Sequence, residues 1–256
     1  LIMNGNTVKF INAEDPSDVD YSKYGIKDAL LIDNTGIVSD EKGLSAHLKN
    51  KEIKKVLLTA PVKGGLKNIV YGVNHDDIQD TDEIIGAASC TTNAIVPVLS
   101  AIDNEFKIDN GHVETVHAYT NDQNLIDNYH SKNRRERAAA LNMVLTETGA
   151  ASAVSQVLPN LEGKISANAI RVPTPNVSLA ILKLYLEKPS ELEKFNEFLK
   201  QTAFHSILKD QIDFSISTEN VSSDFVGSKY AAVIDGQSTI ILSLIHISEP
   251  TRQIVI

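Results

Sequence analysis

The chain has 256 residues, a formal net charge of −9 and one cysteine. That length can bury a sizeable core and suits two domains, while one cysteine excludes an internal disulfide and any reliance on an oxidising compartment. The acidic balance argues against nucleic acid or an anionic membrane as the main partner, and no run of about 18 apolar residues supplies a spanning helix.

No basic, apolar signal segment opens the sequence, so a cytoplasmic location is expected. Thr7 to Asn12 has strand character. Ala29-Leu30-Leu31-Ile32-Asp33 is an apolar run before Asn34-Thr35-Gly36, as a buried parallel strand would be. Lys42 to Asn50 predicts a short helix, Lys55 to Thr59 a second buried strand, and Asn68 to Val73 a third. Strand, helix and strand at this spacing predict a parallel, doubly wound sheet. Such sheets bind ligands beyond the carboxyl ends of their strands, where Thr35, Gly36, Thr59 and Ala60 stand.

The pattern changes at Ser89-Cys90-Thr91-Thr92-Asn93. The apolar run Ala94 to Leu99 suits a helix with Cys90 near its start. Free amide N–H groups and the helix dipole there favour a thiolate. A small buried residue is the plain alternative for one cysteine. Glu114 to Gln123 reads as a strand entering a polar loop, and its His117 can serve as base to a thiol. Arg134, Arg135, Arg137 and Arg171 are the cations available for a phosphate ligand. Further on, Lys183 to Leu186 and Ile212 to Thr218 read as strands. Glu191 to Thr202 has helical period, with Leu192, Phe195, Phe198 and Leu199 on one face.

In order and spacing, the words SCTTN, VHAYTNDQ, TGAAS, RVPTPNVS and VSSDFVGS resemble the phosphorylating glyceraldehyde-3-phosphate dehydrogenase family, across about residues 1–241. The resemblance implies an α/β and α+β chain. Residues 1–89 would be part of a Rossmann-type parallel-sheet domain that binds NAD or NADP. Residues 90–241 would be a catalytic domain with a mixed, mostly antiparallel sheet and helices. It implies a homotetramer acting on a phosphorylated aldehyde and inorganic phosphate, with residues from Thr120 to about Met143 reaching a neighbouring subunit's cofactor. Cys90 would be the nucleophile and His117 its base. Thr120, Asp122 and Arg171 would hold the substrate's phosphate. Ser89, Thr91, Thr148 and Gly149, with Arg135, would line the site of the attacking phosphate, and Asn121 would contact the cofactor. No metal is expected.

Several departures temper that likeness. G-x-G-x-x-G is absent, and the expectation is a chain lacking the first strand–helix–strand unit of the cofactor domain. Glu14 stands where many relatives carry arginine, Ala94 where many carry a second cysteine, and Asn128-Tyr129 where NAD users often have Leu-Pro. Leu242 to Arg252 reads LSLIHISEPTR, which resembles a translated sequencing adapter, so residues 242–256 are expected to be a non-native tail, β-prone over 242–247. The dehydrogenase activity is expected of the intact parent, with this chain inactive. Two other functions fit the same residues: an erythrose-4-phosphate dehydrogenase, or an inactive fragment acting at most as a scaffold or interaction module.

Overall fold

The computed structural model describes residues 1–242 and the backbone pairing of 254–255. The chain divides into two compact units, Leu1–Ile69 with His75–Ser89, and Val70–Asn74 with Cys90–Ile256.

The first unit opens with a small antiparallel hairpin, β1 (Ile2–Met3) and β2 (Asn6–Thr7). Its main sheet is parallel, with β3 (Ala29–Asp33), β4 (Ile53–Leu58), β5 (Lys67–Asn68) and β6 (Ile84–Gly86) in the order β3-β4-β6-β5. Between β3 and β4 runs α1 (Glu41–Leu48), started by Asp40, whose carboxylate accepts the Gly43 N–H at 2.9 Å. Leu44 of α1 joins Val56, Leu58 and Ile84 in a closed cluster, with Leu31 packed against it. That covers one face of β3. On the other, Leu30 and Ile32 are 52% and 58% exposed. The expected strand therefore forms and pairs in parallel, but it is an edge strand buried on a single face.

Two expected strands do not form as read. From Val8 to Asn12 there is no strand, because the pairing stops at Thr7 and Phe10 projects into solvent. Asn68 to Val73 leaves the sheet after Asn68. The N–H groups of Val73 and Asn74 both turn back to the Val70 carbonyl, and Asn74 Oδ1 accepts the Val70 N–H at 2.7 Å. The place beside β4 is taken by β6 instead.

The second unit is built on α2 (Cys90–Phe106), β7 (Ile108–Ala118), β8 (Val144–Thr146), α3 (Ala150–Val157), β9 (Ile165–Val172), β10 (Leu179–Leu186), α4 (Leu192–His205), β11 (Ile212–Ser215), β12 (Ala232–Asp235), β13 (Ile240–Ile241) and β14 (Ile254–Val255). Six strands form one mixed sheet in the order β13-β14-β10-β7-β9-β8, in which only the β7–β9 pairing is parallel. β11 and β12 pair in parallel beside it in sequence. Gly111 is where β7 and β10 approach closely: a Cβ there would stand 2.7 Å from Leu184 Cδ2 and 2.8 Å from the Lys183 carbonyl oxygen. Phe106, at the end of α2, meets Phe195 and Phe198 of α4 with ring centroids 5.1 Å apart in each pair. The expected helix over 191–202 is α4, and Ile212–Thr218 is a strand only to Ser215. Of the expected tail, residues 243–253 and 256 lie outside the described residues. Ile254–Val255 pairs with both β10 and β13.

Candidate active site

Period two along β7 decides where His117 goes. Val113, Thr115 and His117 are buried and point to one face of the sheet. Parallel pairing sets Ala167, Ala169 and Arg171 of β9 beside them, with His117 opposite Arg171. Two expected site residues far apart in sequence are thus neighbours by register alone. Cys90 is the first residue of α2, and Ala88 just before it has φ of 57°, a strained value for a residue with a Cβ.

Cys90 Sγ lies 3.7 Å from His117 Nε2. The hydrogen bond with His117 is the main reason the thiol pKa falls, to about 7. Crowding by protein opposes this, although the residue still reaches solvent. The His117 charge and hydrogen bonds with Thr91 add to the lowering. On the far side of the imidazole, Nδ1 is 2.6 Å from the Ala118 carbonyl oxygen and 2.9 Å from Arg171 Nη1. Arg171 Nη1 also donates to that carbonyl at 3.0 Å and to Thr120 Oγ1 at 3.3 Å. Its Nε is buried without a partner. Burial first, and then the charge of Arg135, lower the Arg171 pKa, while the Cys90 thiolate opposes them. A cation so placed favours an anionic ligand.

A second cluster lies in the loop after β7. Asp122 forms a close ion pair with Arg135 and another with Lys132 at 3.2 Å. Arg135 is buried and donates to Thr146 Oγ1 at 2.9 Å. Of the three loop arginines, Arg135 faces inward. Arg134 is exposed and Arg137 pairs with Asp127 at 3.2 Å. Thr148 Oγ1 accepts the Ala150 N–H at 3.2 Å at the start of α3, preceded by Gly149. Asn121 is exposed in the same loop. A recess of about 320 Å³ opens between Asp127 and Arg137 and does not include Cys90. Among the described residues no group of histidine, cysteine and carboxylate side chains could hold a metal ion.

In the first unit, Thr35 and Gly36 follow β3 and Thr59 and Ala60 follow β4, all at carboxyl ends of parallel strands. Asp33 organises them. Its Oδ1 accepts the Thr35 N–H and hydroxyl, both at 2.8 Å, and its carbonyl accepts the Thr59 N–H at 2.9 Å. His47 of α1 meets its other oxygen at 3.2 Å. Burial alone would raise the Asp33 pKa, but the bonds from Thr35 and His47 prevail and hold it below the usual carboxylate range. Gly36 has φ of 72° and nothing within 4 Å of where a Cβ would stand, an open turn that a ligand can approach.

Sequence reasoning missed Thr146, the Ala118 carbonyl and Ser178, whose Oγ accepts the Ala118 N–H at 3.1 Å. For Thr146 and Ser178 there was a signal, since both lie inside or beside the quoted words. A backbone carbonyl leaves none.

Residues 89–250 match the model of the glyceraldehyde 3-phosphate dehydrogenase C-terminal domain. The chain is similar to a glyceraldehyde-3-phosphate dehydrogenase-like protein of Pseudomonas aeruginosa, 60% identical over 240 residues, which cover 94% of this chain and 52% of that protein. It is similar to glyceraldehyde-3-phosphate dehydrogenase of Borreliella burgdorferi, 39% identical over 94% of this chain and 73% of that one. It is also similar to glyceraldehyde-3-phosphate dehydrogenase 2 of Bacillus subtilis, 41% identical over 94% and 70%. The chain thus spans about half the length of the Pseudomonas relative.

Proposed function

Because the chain belongs to the glyceraldehyde-3-phosphate dehydrogenase family, we propose that the protein oxidises glyceraldehyde 3-phosphate to 1,3-bisphosphoglycerate through a thioester on Cys90. The observation that carries this reading is the 3.7 Å contact between Cys90 Sγ and His117 Nε2, with Arg171 on the far side of the imidazole.

His117 takes the thiol proton, and the thiolate attacks the aldehyde carbon, whose π pair moves to oxygen. The resulting oxyanion accepts a hydrogen bond from the imidazolium, which then gives it the proton. His117 next removes that hydroxyl proton while the carbon loses a hydride, and a thioester remains. A bound nicotinamide, NAD or NADP, supplies the hydride acceptor. An oxygen of inorganic phosphate then adds to the thioester carbon, and the Cys90 thiolate leaves, freeing the acyl phosphate. Sulfur suits the task because a thioester conserves the oxidation energy that a free acid would lose.

Arg171 and Thr120, with Asp122 close in sequence, are assigned to the substrate's phosphate. The unpartnered Nε of Arg171 supports that role. Ser89, Thr91, Thr148, Gly149 and Arg135 are assigned to the attacking phosphate. Thr35, Gly36, Thr59, Ala60 and Asn121 are assigned to the cofactor. The open turn at Gly36 fits a ligand drawn against backbone, and the Thr35 N–H and hydroxyl, already bonded to Asp33, contribute shape rather than free donors. A homotetramer in the cytoplasm completes the reading. No helix among the described residues is long and apolar enough to cross a membrane.

The test is substrate-side. Arg171→Ala should raise KM for glyceraldehyde 3-phosphate by about 10–100-fold, the worth of one charge-assisted phosphate contact. Alkylation of Cys90 should change much less than KM does, because Arg171 reaches the thiol only by charge and through the imidazole. Equal turnover of phosphorylated and unphosphorylated aldehyde by the unaltered protein would refute the phosphate assignment.

A further inference from the structure

The imidazole of His117 faces two partners on one nitrogen, and they demand opposite proton placements. The Ala118 carbonyl can only accept, and the guanidinium of Arg171 can only donate. With a proton on Nδ1, the bond goes to Ala118 O, and Arg171 is left with the same carbonyl and Thr120 Oγ1. With no proton on Nδ1, Arg171 bonds it directly, and the proton sits on Nε2, facing Cys90. Only the first arrangement leaves Nε2 a lone pair for the thiol. It is also the only one compatible with an imidazolium, which needs an acceptor at Nδ1.

What decides between them is the backbone on both sides of Ala118, whose N–H belongs to the peptide with His117 and whose carbonyl belongs to the peptide with Tyr119. β7 ends at Ala118, where its pairing with β10 has already stopped at Val116 opposite Leu179. The Ala118 N–H therefore finds a side chain instead of a strand: Ser178 Oγ, at 3.1 Å. Ser178 is presented by a strained turn. Val177 has φ of 63°, an uncommon value for a β-branched residue, and Asn176 Oδ1 accepts its N–H at 2.8 Å. The next peptide is tied to the same segment, since the Tyr119 N–H donates to the Thr174 carbonyl at 3.1 Å.

We propose that Ser178 is a positioning residue for the reaction: by fixing the peptide between His117 and Ala118, while the Thr174 carbonyl fixes the next one, its hydroxyl keeps the Ala118 carbonyl on His117 Nδ1 and the Nε2 lone pair on Cys90. This rests on the reading of Cys90 and His117 as the reacting pair. The titratable and charged groups that face His117 are Cys90 from α2 and Arg171 from β9, and Arg135 acts on Arg171 by charge. A guanidinium keeps its charge across the working range, so a change in the thiol's titration reports on the imidazole.

The chain's single thiol makes the experiment direct, because iodoacetamide uptake reads Cys90 alone and needs no cofactor. The unaltered protein should be alkylated with a midpoint near pH 7. Ser178→Ala should raise that midpoint by about one unit toward the free-thiol value and slow alkylation at neutral pH about fivefold. Ser178→Thr keeps the hydroxyl and should restore the profile. An unaltered protein with a midpoint at about 8.5 would remove the Cys90–His117 pair itself. A low midpoint that Ser178→Ala leaves in place would overturn the positioning role and spare the pair. Should Ser178→Ala not fold, ¹⁵N spectra of His117 in the unaltered, thiol-blocked protein at alkaline pH decide. A proton on Nδ1 supports the proposal, and a proton on Nε2 overturns it.

Discussion

The two units place their loop residues by different means. In the second, β7 and β9 run side by side over eight paired residues, from Gly111–Ile165 to Ala118–Val172. His117 and Arg171 are therefore fixed by register, and one residue of slip between the strands would set them on opposite faces. In the first, Thr35 and Thr59 follow short strands and owe their positions to a single buried residue, Asp33, whose carboxylate holds Thr35 and whose backbone carbonyl holds Thr59. The sheets differ in cover as well. His117 stands on a buried face, whereas β3 shows Leu30 and Ile32 to solvent, although parallel sheets are ordinarily covered on both faces. The proposed base and phosphate ligand sit on the long paired strands, and the turns proposed to meet a larger ligand sit on the short ones.

Three changes would break or sharpen this contrast. The largest effect belongs to the register-fixed pair: His117→Asn should cut turnover by about 10²–10⁴ and raise the Cys90 alkylation midpoint. Stability should barely move, so a turnover loss below tenfold in a folded variant would mean that register has not placed a base there.

Next is the carboxylate of the first unit. Asp33→Ala removes an acceptor of two Thr35 donors and the partner of His47, and should cost about 2–3 kcal/mol in urea unfolding at neutral pH. Because the folded pKa of Asp33 lies below its unfolded value, its contribution is full above about pH 4 and is lost as pH falls through the folded pKa. The variant's deficit should shrink in strong acid. A deficit that persists unchanged there would assign the loss to packing.

The smallest effect is expected on the uncovered face. Leu30→Thr and Ile32→Thr should each change stability by less than about 0.5 kcal/mol, as surface substitutions do, and favour solubility. A loss above about 1 kcal/mol from either would show that something packs on that face.

Much of this could be read from the chain. Cys90 and His117 stood out because few side chains can act as nucleophile and base, and their flanks predicted a helix start and a strand end. The strands at Ala29–Asp33 and Ile53–Leu58 and the helix at Leu192–His205 followed from apolar runs and period. Where the reading failed, pairing was the missing quantity. Phe10 and its neighbours have strand character but no partner, and Val70 to Asn74 closes a turn where apolar content predicted a ladder. A propensity becomes a strand only when another segment accepts its hydrogen bonds.

By itself the sequence determined the family, the candidate nucleophile and base and the pool of cations, since residue types in a given order carry that chemistry locally. The tertiary structure decided which of Arg134, Arg135 and Arg137 turns inward, because burial beside Asp122 and Thr146 depends on how a loop folds back on β8. It also decided which groups meet His117 Nδ1. That depends on one backbone carbonyl and one serine hydroxyl from a segment 60 residues downstream, and only strand register and a strained turn bring them together.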